Sequence, residues 1–525
     1  MKNKTLYIHI LLLGALFATT LKAQEFPYYT YGDVATEFTK LSATSGTATE
    51  VTFGRTDGVV LTTDQGNQYA GVYLKNLTFP TARGFEIEFE YNIKWGNSSM
   101  GAGDGFALVL FDSEAAREGK VQMGVAGAGL GYNLRNGSST IPGFSNGYFG
   151  LGFDSYGNYK NRMTASNEWT NGLPSSYFDT DEKKRSHVTI RGPFYKDAAG
   201  RLNIKKGYPV LFTRSTIYKK ADSKMYVLDS EGNYIAKDNS NNVAYLDLKN
   251  NKASNLLDTQ NGYRKIVVQF LKGTSVVNSR EEDGYYIFVD LFAYEGNQSY
   301  DIPLVENFFV KKSGSIKYPE YSSSGESRRP TIDNLYYTIP SVLRLAFTAS
   351  TGGAYQRQSI RNIKVRVPYS PQTSDMVVEK ASRNETTTFD PLEKSVGYNT
   401  NVYNTARKPV GSKDYLDLKS FRFKRMDAAT GKFVFSSDPY EISSPIGTYN
   451  YNPMTGFISF EPTTVVPTTY VSDVVYFDIK NKPTTALGSE DISAEIFRSN
   501  TTKATLLFDD LNNRKYIIVN ANPVQ

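Results

Sequence analysis

GFEIEFEYNIKW (residues 84–95) alternates without a break: Phe85, Ile87, Phe89, Tyr91 and Ile93 fall on one side of an extended chain, and Glu86, Glu88, Glu90, Asn92 and Lys94 on the other. A sustained period of two predicts a strand with one face buried and one wet. GFALVLF (105–111), YFGLGF (148–153), HVTIRG (187–192), YRKIVVQFL (263–271), YYIFVDLF (285–292), VLRLAFTAS (342–350) and IRNIKVRV (360–367) also read as strands, separated by turns rich in Gly, Asn and Ser. With 38 Tyr, 31 Phe and 42 Gly and few segments of helical period, the chain reads as all-β. Many strands with sequence-distant partners suit a large antiparallel sandwich.

A length of 525 residues suggests two or three domains. The polar, Lys- and Asn-rich stretch 196–260 reads as an insertion on the sandwich, and VRVPYSPQTSD (365–375) places a linker at 369–375. Strand patterns resume in LDLKSFRF (416–423), GTYNYNPMTGFISFEP (447–462), VSDVVYFDI (471–479), ATLLFDD (504–510) and KYIIVNA (515–521), predicting a smaller β-sandwich over 376–525. At the other end, Lys2 and Lys4 precede an apolar run from Leu6 to Leu21, with Ala23 before a cut; residues 1–23 read as a secretory signal peptide. The expected destination is the medium or the outer cell surface, with the periplasm open as well. No later stretch approaches the roughly 20 apolar residues of a membrane span.

The absence of cysteine excludes disulfides, thiolate metal sites and a Cys nucleophile. Removing Lys2, Lys4 and Lys22 takes three from the 59 basic residues and leaves 56 against 53 acidic, a net +3. That is no electrostatic footprint for nucleic acid or a membrane surface. His9 lies in the leader, so any Ser-His-Asp chemistry would fall to His187.

Two loops carry the chemistry. In MGAGDGFALVL (100–110), Asp104 stands between glycines just before a strand, where a carboxylate could accept hydrogen bonds from adjacent hydroxyls; a plain Gly-Asp-Gly turn is the alternative. In GLGFDSYGNY (150–159), Asp154, Tyr156 and Asn158 alternate and can each offer oxygen to a hard cation, the Tyr through its carbonyl. GVAGAGLGY (124–132) matches neither a P-loop nor a dinucleotide fingerprint. EIEFE (86–90) places three glutamates on one strand face, superficially like the EIDIE signature of laminarinase-type hydrolases, whose retaining chemistry needs two carboxylates about 5–5.5 Å apart.

In order, GDGFALVLF, GAGLGY, GLGFDSYGN, HVTIRG and LAFTASTGGAYQRQSIRNIKV resemble the L-type lectin family, the legume-lectin-like sandwich, over about residues 25–368. The resemblance implies a concanavalin-like jelly roll, in a secreted bacterial member, whose partners are glycans. It implies a calcium site formed by Asp154, the Tyr156 carbonyl, Asn158 and a second carboxylate, with Asp181 expected ahead of Asp179 and Glu182. Sugar contacts would come from Asp104, the backbone at Gly129, Tyr156 by stacking, Asn158, and the Gly352–Gly353 turn. Legume members carry a Glu where this chain has Gly152, so a second, transition metal is not expected and a calcium-only loop, as in the animal branch, fits better. His187 matches a ligand of that second metal and is equally readable as a structural residue.

Ordering a flexible loop costs about 1–2 kcal/mol per residue, against roughly 4 kcal/mol for millimolar sugar binding, so a cation would fix the loop beforehand. The C-terminal stretches TTTFDPLEKSVGYN (386–399) and 447–462 loosely resemble CshA-type adhesin repeats, which implies a spacer role. The expected protein is a calcium-dependent lectin and not an enzyme. A glycoside hydrolase of the same fold or a structural surface protein with idle lectin loops are the alternatives. A homo-oligomer is compatible with each.

Overall fold

The computed structural model describes residues 28–508 apart from 31, 33, 45, 76, 96–100, 118–120, 137–139, 161–185, 217–224, 232–233, 238–246, 250–261, 296–297, 321–330, 404–408, 428–431 and 484–497. The leader 1–23 and the strand expected at 515–521 lie outside the described residues. Two compact units divide the chain, 1–368 and 369–525.

Two antiparallel sheets build the first unit. Among the described residues one has eight strands, in the order Gln298–Lys311, Arg280–Glu295, Arg264–Val277, Phe85–Trp95, Gln356–Arg366, Gly58–Thr62 and Thr52–Gly54, with Tyr28–Thr30 beside Gln356–Arg366. The other has ten, in the order Tyr234–Lys237, Met225–Leu228, Val210–Ser215, His187–Arg191, Gly147–Asp154, Gly105–Asp112, Val342–Ser350, Tyr69–Leu74 and Phe38–Lys40, with Phe79–Pro80 beside Val342–Ser350. The buried side of the alternating strand 85–95 holds the sheets together. Phe89 on the eight-stranded sheet lies 5.1, 6.0 and 6.1 Å from the rings of Phe347, Phe153 and Phe106 on the other. Burying each such ring stabilises by about 1.5–3 kcal/mol. The result is the large antiparallel β-sandwich that the strand pattern predicts.

The outer face of strand 85–95 is not simply wet. Glu86 is 4% exposed and Asn92 8%. Arg366 bonds Glu86 through Nε (2.6 Å) and reaches Glu88 at 3.3 Å, Lys364 bonds Glu88 at 2.8 Å and Arg361 bonds Glu90 at 2.7 Å. These cations come from the paired strand Gln356–Arg366, opposite each glutamate in register. Burial alone would raise the Glu88 carboxyl, but Lys364, Arg366 and Lys265 outweigh it and bring it down to about 2. A depressed carboxyl in a cross-strand ion-pair ladder is a structural device; a glycosidase acid needs the opposite shift.

Two stretches read from sequence, the insertion 196–260 and the linker 369–375, make defined contacts with their neighbours. Val210–Ser215, inside the stretch read as an insertion, is buried along its whole length and pairs with His187–Arg191, so this part belongs to the main sheet. Only Val210, Leu211 and Phe212 are apolar there; Thr213, Arg214 and Ser215 are buried as well, and nothing in their residue types signals it. Residues 369–375, read as a linker, are fastened to the second unit: Asn481 donates to the Tyr369 carbonyl, and Thr373 bonds Asn500.

The second unit is a smaller sandwich. Its five-stranded sheet runs Met376–Ala381, Thr502–Phe508, Ser472–Asn481, Leu416–Asp427 and Lys432–Phe435, and its four-stranded sheet Thr387–Phe389, Phe457–Pro462, Gly447–Asn452 and Glu441–Ser444. Phe421 stacks on Tyr451 at 3.7 Å, and Phe460 meets Phe508 at 5.7 Å, each pair joining the two sheets. The hairpin around Pro453 closes with Asn452 Oδ1 accepting from the Met454 and Thr455 amides, an Asx turn.

Candidate functional site

Strand register decides where the chemistry gathers. Tyr69 pairs with Ser350, Ser350 with Gly105, Gly105 with Asp154, Asp154 with His187, and His187 with Ser215. These six residues form one continuous row across an end of the ten-stranded sheet. Loops leaving that row carry Asp104, the stretch 155–160 and the turn 351–355. The turn 351–355 crosses to the other sheet, so its path is fixed at both ends.

Asp104 joins three of these elements. Its amide donates to the Ser350 carbonyl and its carbonyl accepts from the Tyr156 amide, both at 3.1 Å. Ser350 Oγ lies 3.5 Å from Asp104 Oδ2 and donates to the Gly127 carbonyl at 2.9 Å, tying in the Gly127–Gly129 turn. The Gly103–Asp104 peptide is cis. A Cβ on Gly103 would meet Ala354 Cβ at 2.9 Å and the Tyr156 ring at 3.2 Å, so the loops touch here. A Cβ on Gly352 would stand 3.8 Å from Asp104 Oδ2; glycine leaves that approach open. Asp104 is 6% exposed. Burial, and then the negative Asp154, push its carboxyl up to about 8 against the pull of Ser350.

Asp154 is fully buried and organises its own loop. Its Oδ1 accepts from the Gly157 amide at 2.7 Å and its Oδ2 from the Tyr159 amide at 2.5 Å. Gly157 has φ +92°, a conformation that an L side chain resists and that turns its amide toward the carboxylate. Burial raises the Asp154 carboxyl to about 6, opposed by these amides and by the Lys160 charge. Arg191 closes the far end. Its Nε and one terminal nitrogen donate to the Tyr159 carbonyl at 3.0 and 2.7 Å, and its guanidinium lies 5.0 Å from the Tyr159 ring centre. The loop that a cation was expected to order is thus already pinned by Asp154 and Arg191.

Gly152 explains the missing carboxylate. A Cβ there would meet the Tyr159 ring at 2.2 Å, and one on Gly150 would meet Tyr132 at 2.2 Å and the Tyr159 hydroxyl at 2.5 Å. The alternating glycines are a slot for two aromatic rings, and no glutamate fits in it. Gly152→Ala is expected to cost roughly 1–3 kcal/mol through overpacking, read as a lower denaturant midpoint.

The structure therefore brings together Asp104, Asp154, Tyr156, Asn158 and Gly352, with Gly129 in the adjoining turn and Gly353 exposed beside Gly352. Tyr156 is 37% exposed. Asp181, with Asp179 and Glu182, lies outside the described residues. His187 is fully buried, and its ring nitrogens lie 3.0 and 3.3 Å from Lys160 Nζ. Sequence reasoning missed Ser350, Tyr159, Lys160, Arg191 and two buried amides, Gln356 and Gln358. Gln356 donates to Ser155 Oγ and Gln358 to the Ser350 carbonyl, both at 3.1 Å. Their alternation in QRQ was a visible sign of a shared face.

Whether the site suits calcium can be tested on its donors. Asn158 Oδ1 is buried without a hydrogen-bond partner, four residues from the Asp154 carboxylate. A buried acceptor in that state normally costs about 1–3 kcal/mol, and a cation would satisfy it. The donors present are hard oxygens, the set calcium takes. Among the described residues no three of His, Cys, Asp and Glu gather as a metal cluster. On that donor chemistry the residues fit calcium.

No protein-family profile and no curated protein matches the chain. Among solved structures it is similar to the VIP36 exoplasmic/lumenal domain in its Ca2+/Man3GlcNAc-bound form, at 11% identity and TM-score 0.30, over 64% of this chain and 86% of that one. It is also similar to the metal-free lectin I-B4 of Griffonia simplicifolia (13%, 0.28, over 63% and 94%) and to the Bauhinia forficata lectin in complex with GalNAc (12%, 0.28, over 65% and 97%).

Proposed function

We propose that the protein is an exported, calcium-dependent carbohydrate-binding protein acting in glycan recognition or adhesion at the cell surface, with residues 376–525 as a spacer. One observation carries this reading. Strand register delivers a buried carboxylate, Asp104, beside a half-exposed tyrosine and next to a second buried carboxylate whose neighbour Asn158 has an unfilled acceptor.

Asp104 would accept two adjacent sugar hydroxyls, since an ionised carboxylate is acceptor-only. Tyr156 would lie against the apolar face of the ring, and Gly352 would let the ring approach. Asp154, Asn158, the Tyr156 carbonyl and Asp181 would hold the calcium. Bound there, the ion would supply positive charge that brings the neighbouring Asp104 into its ionised, accepting form. Ser350 and the Tyr156 amide hold Asp104 in place, so little order is imposed at binding.

The test is a glycan array with the mature chain, residues 24–525, run in calcium and in chelator. Binding in calcium that chelator removes is expected; binding to no glycan in either condition overturns the proposal. Glu86→Gln and Glu90→Gln, in the ion-pair ladder of the other sheet, touch none of the site's loops and should leave glycan binding within about twofold, as substitutions with no shared partners do. A reducing-sugar signal that these changes abolish would mean hydrolysis instead. Mass spectrometry of the exported protein should place its N-terminus at Gln24.

A further inference from the structure

Two residues of a single strand reach both loops of the site. Gln356 and Gln358 stand two apart on Gln356–Arg366, opposite Trp95 and Ile93 of the neighbouring strand, and both are fully buried. Gln356 Nε2 donates to Ser155 Oγ at 3.1 Å, and Ser155 lies between Asp154 and Tyr156. Gln358 Nε2 donates at 3.1 Å to the Ser350 carbonyl, which also accepts the Asp104 amide. Each side chain uses its NH2 in this way and leaves Oε1 buried without a hydrogen-bond partner among the described residues. A buried acceptor in that state is unfavourable, and an apolar side chain of the same shape would avoid it. Core filling alone does not account for two such groups at alternate positions, each bonded to a different loop of the site.

We infer that Gln356 and Gln358 are positioning residues, through which the eight-stranded sheet sets the distance between the Tyr156 loop and the Asp104 loop. The purpose rests on the carbohydrate reading above; the geometry does not. Alternate residues of a strand are about 7 Å apart, and this strand is held from both sides. It pairs with Phe85–Trp95 and with Gly58–Thr62, and the Gln356 carbonyl accepts from Thr62 Oγ1 at 3.0 Å. That stiff spacing passes to each loop through one hydrogen bond. The Asp104 carboxylate and the Tyr156 ring are therefore held at a fixed separation before a saccharide arrives, which lowers the ordering cost of binding.

The experiment compares the mature full-length chain with Gln356→Met and Gln358→Met, which keep the shape and remove the amide. A third variant, Ser155→Ala, removes the acceptor of Gln356. Amide hydrogen exchange, the melting midpoint and glycan affinity in calcium are measured on each. Exchange is expected to quicken about tenfold in the Tyr156 loop for Gln356→Met and Ser155→Ala, and at Asp104 for Gln358→Met. Glycan affinity should fall about tenfold in each, the effect of one lost hydrogen bond. The Met variants should melt at or above the wild-type midpoint, because a buried orphan acceptor is gone. Combining Gln356→Met with Ser155→Ala should lower affinity no further than either change alone, since both break the same bond.

A glutamine that merely fills the core would give the opposite pattern. Its Met variant would melt lower or fail to fold, with exchange at 104 and 156 and glycan affinity as in the wild type; either a lower midpoint of that kind or an unfolded variant overturns the inference. So does exchange that quickens evenly along the strand and not in the named loop. A wild type that binds no glycan ends the carbohydrate reading, and the exchange pattern then decides the positioning role by itself.

Discussion

Asp154→Ala is expected to abolish calcium binding, weaken glycan binding at least about a hundredfold and lower the melting midpoint by roughly 5–10 °C. Three roles converge on this carboxylate. It accepts the Gly157 and Tyr159 amides, each a charge-assisted bond worth about 1.5–3 kcal/mol. It would be the first calcium ligand, and its loop carries Tyr156 against Asp104. Alanine removes all three. Asp154→Asn separates them, because an amide keeps one acceptor for the loop while losing the charge a hard cation needs. The Asn variant should therefore melt closer to wild type and still bind no calcium. Calorimetry and a thermal scan on both variants check this; an Asp154→Asn protein that binds calcium as well as wild type removes Asp154 from the metal site.

The same carboxyl sets a pH dependence whose sign can be worked out. Its folded value, pushed up to about 6, exceeds the ordinary 3.8, and that of Asp104, at about 8, exceeds it further. Protonation thus favours the metal-free fold, and its stability should fall as pH rises from 5 to 8 in chelator. Glu88 acts in the opposite sense, but its window lies below pH 4.5, where its depressed carboxyl finally protonates. Calcium affinity should rise with pH up to about 6, because the ion competes with the proton on Asp154.

Strands were legible because a half-buried strand writes its burial into alternate residues, as in 84–95, where Phe85 through Ile93 all face the core. The loop residues were legible for a related reason: Asp104 and Asp154 each border a strand end, and antiparallel register aligns those ends in one row. What stayed hidden depends on long-range packing. Gly150 and Gly152 look like interruptions of a strand, and only the folded chain shows Tyr132 and Tyr159 filling the space. Lys160 and Arg191 carry no local pattern, since each is defined by a partner 27 or 32 residues away. The glutamates of EIEFE resembled a catalytic row because their cations sit some 280 residues later, in Lys364 and Arg366.

Asp104→Asn separates recognition from scaffold. The change is nearly isosteric, and the backbone bonds to Ser350 and Tyr156 do not involve the side chain. The fold should survive, and the chelated protein should gain stability at pH 8, because a buried carboxylate beside Asp154 has been neutralised. Sugar binding should not survive. A carboxylate accepts from two adjacent hydroxyls, whereas an amide offers one acceptor and sets its NH2 against the other, so two charge-assisted bonds become one neutral bond. At about 1.5–3 kcal/mol for each bond to a charged group, the loss is about a hundredfold or more in affinity. Calcium affinity should change far less, since Asp104 neighbours the proposed ligands without being one. The measurement is glycan affinity and calcium affinity on the same preparation. If Asp104 is merely the middle of a glycine turn, both affinities will match wild type, and the carboxylate will have no part in recognition.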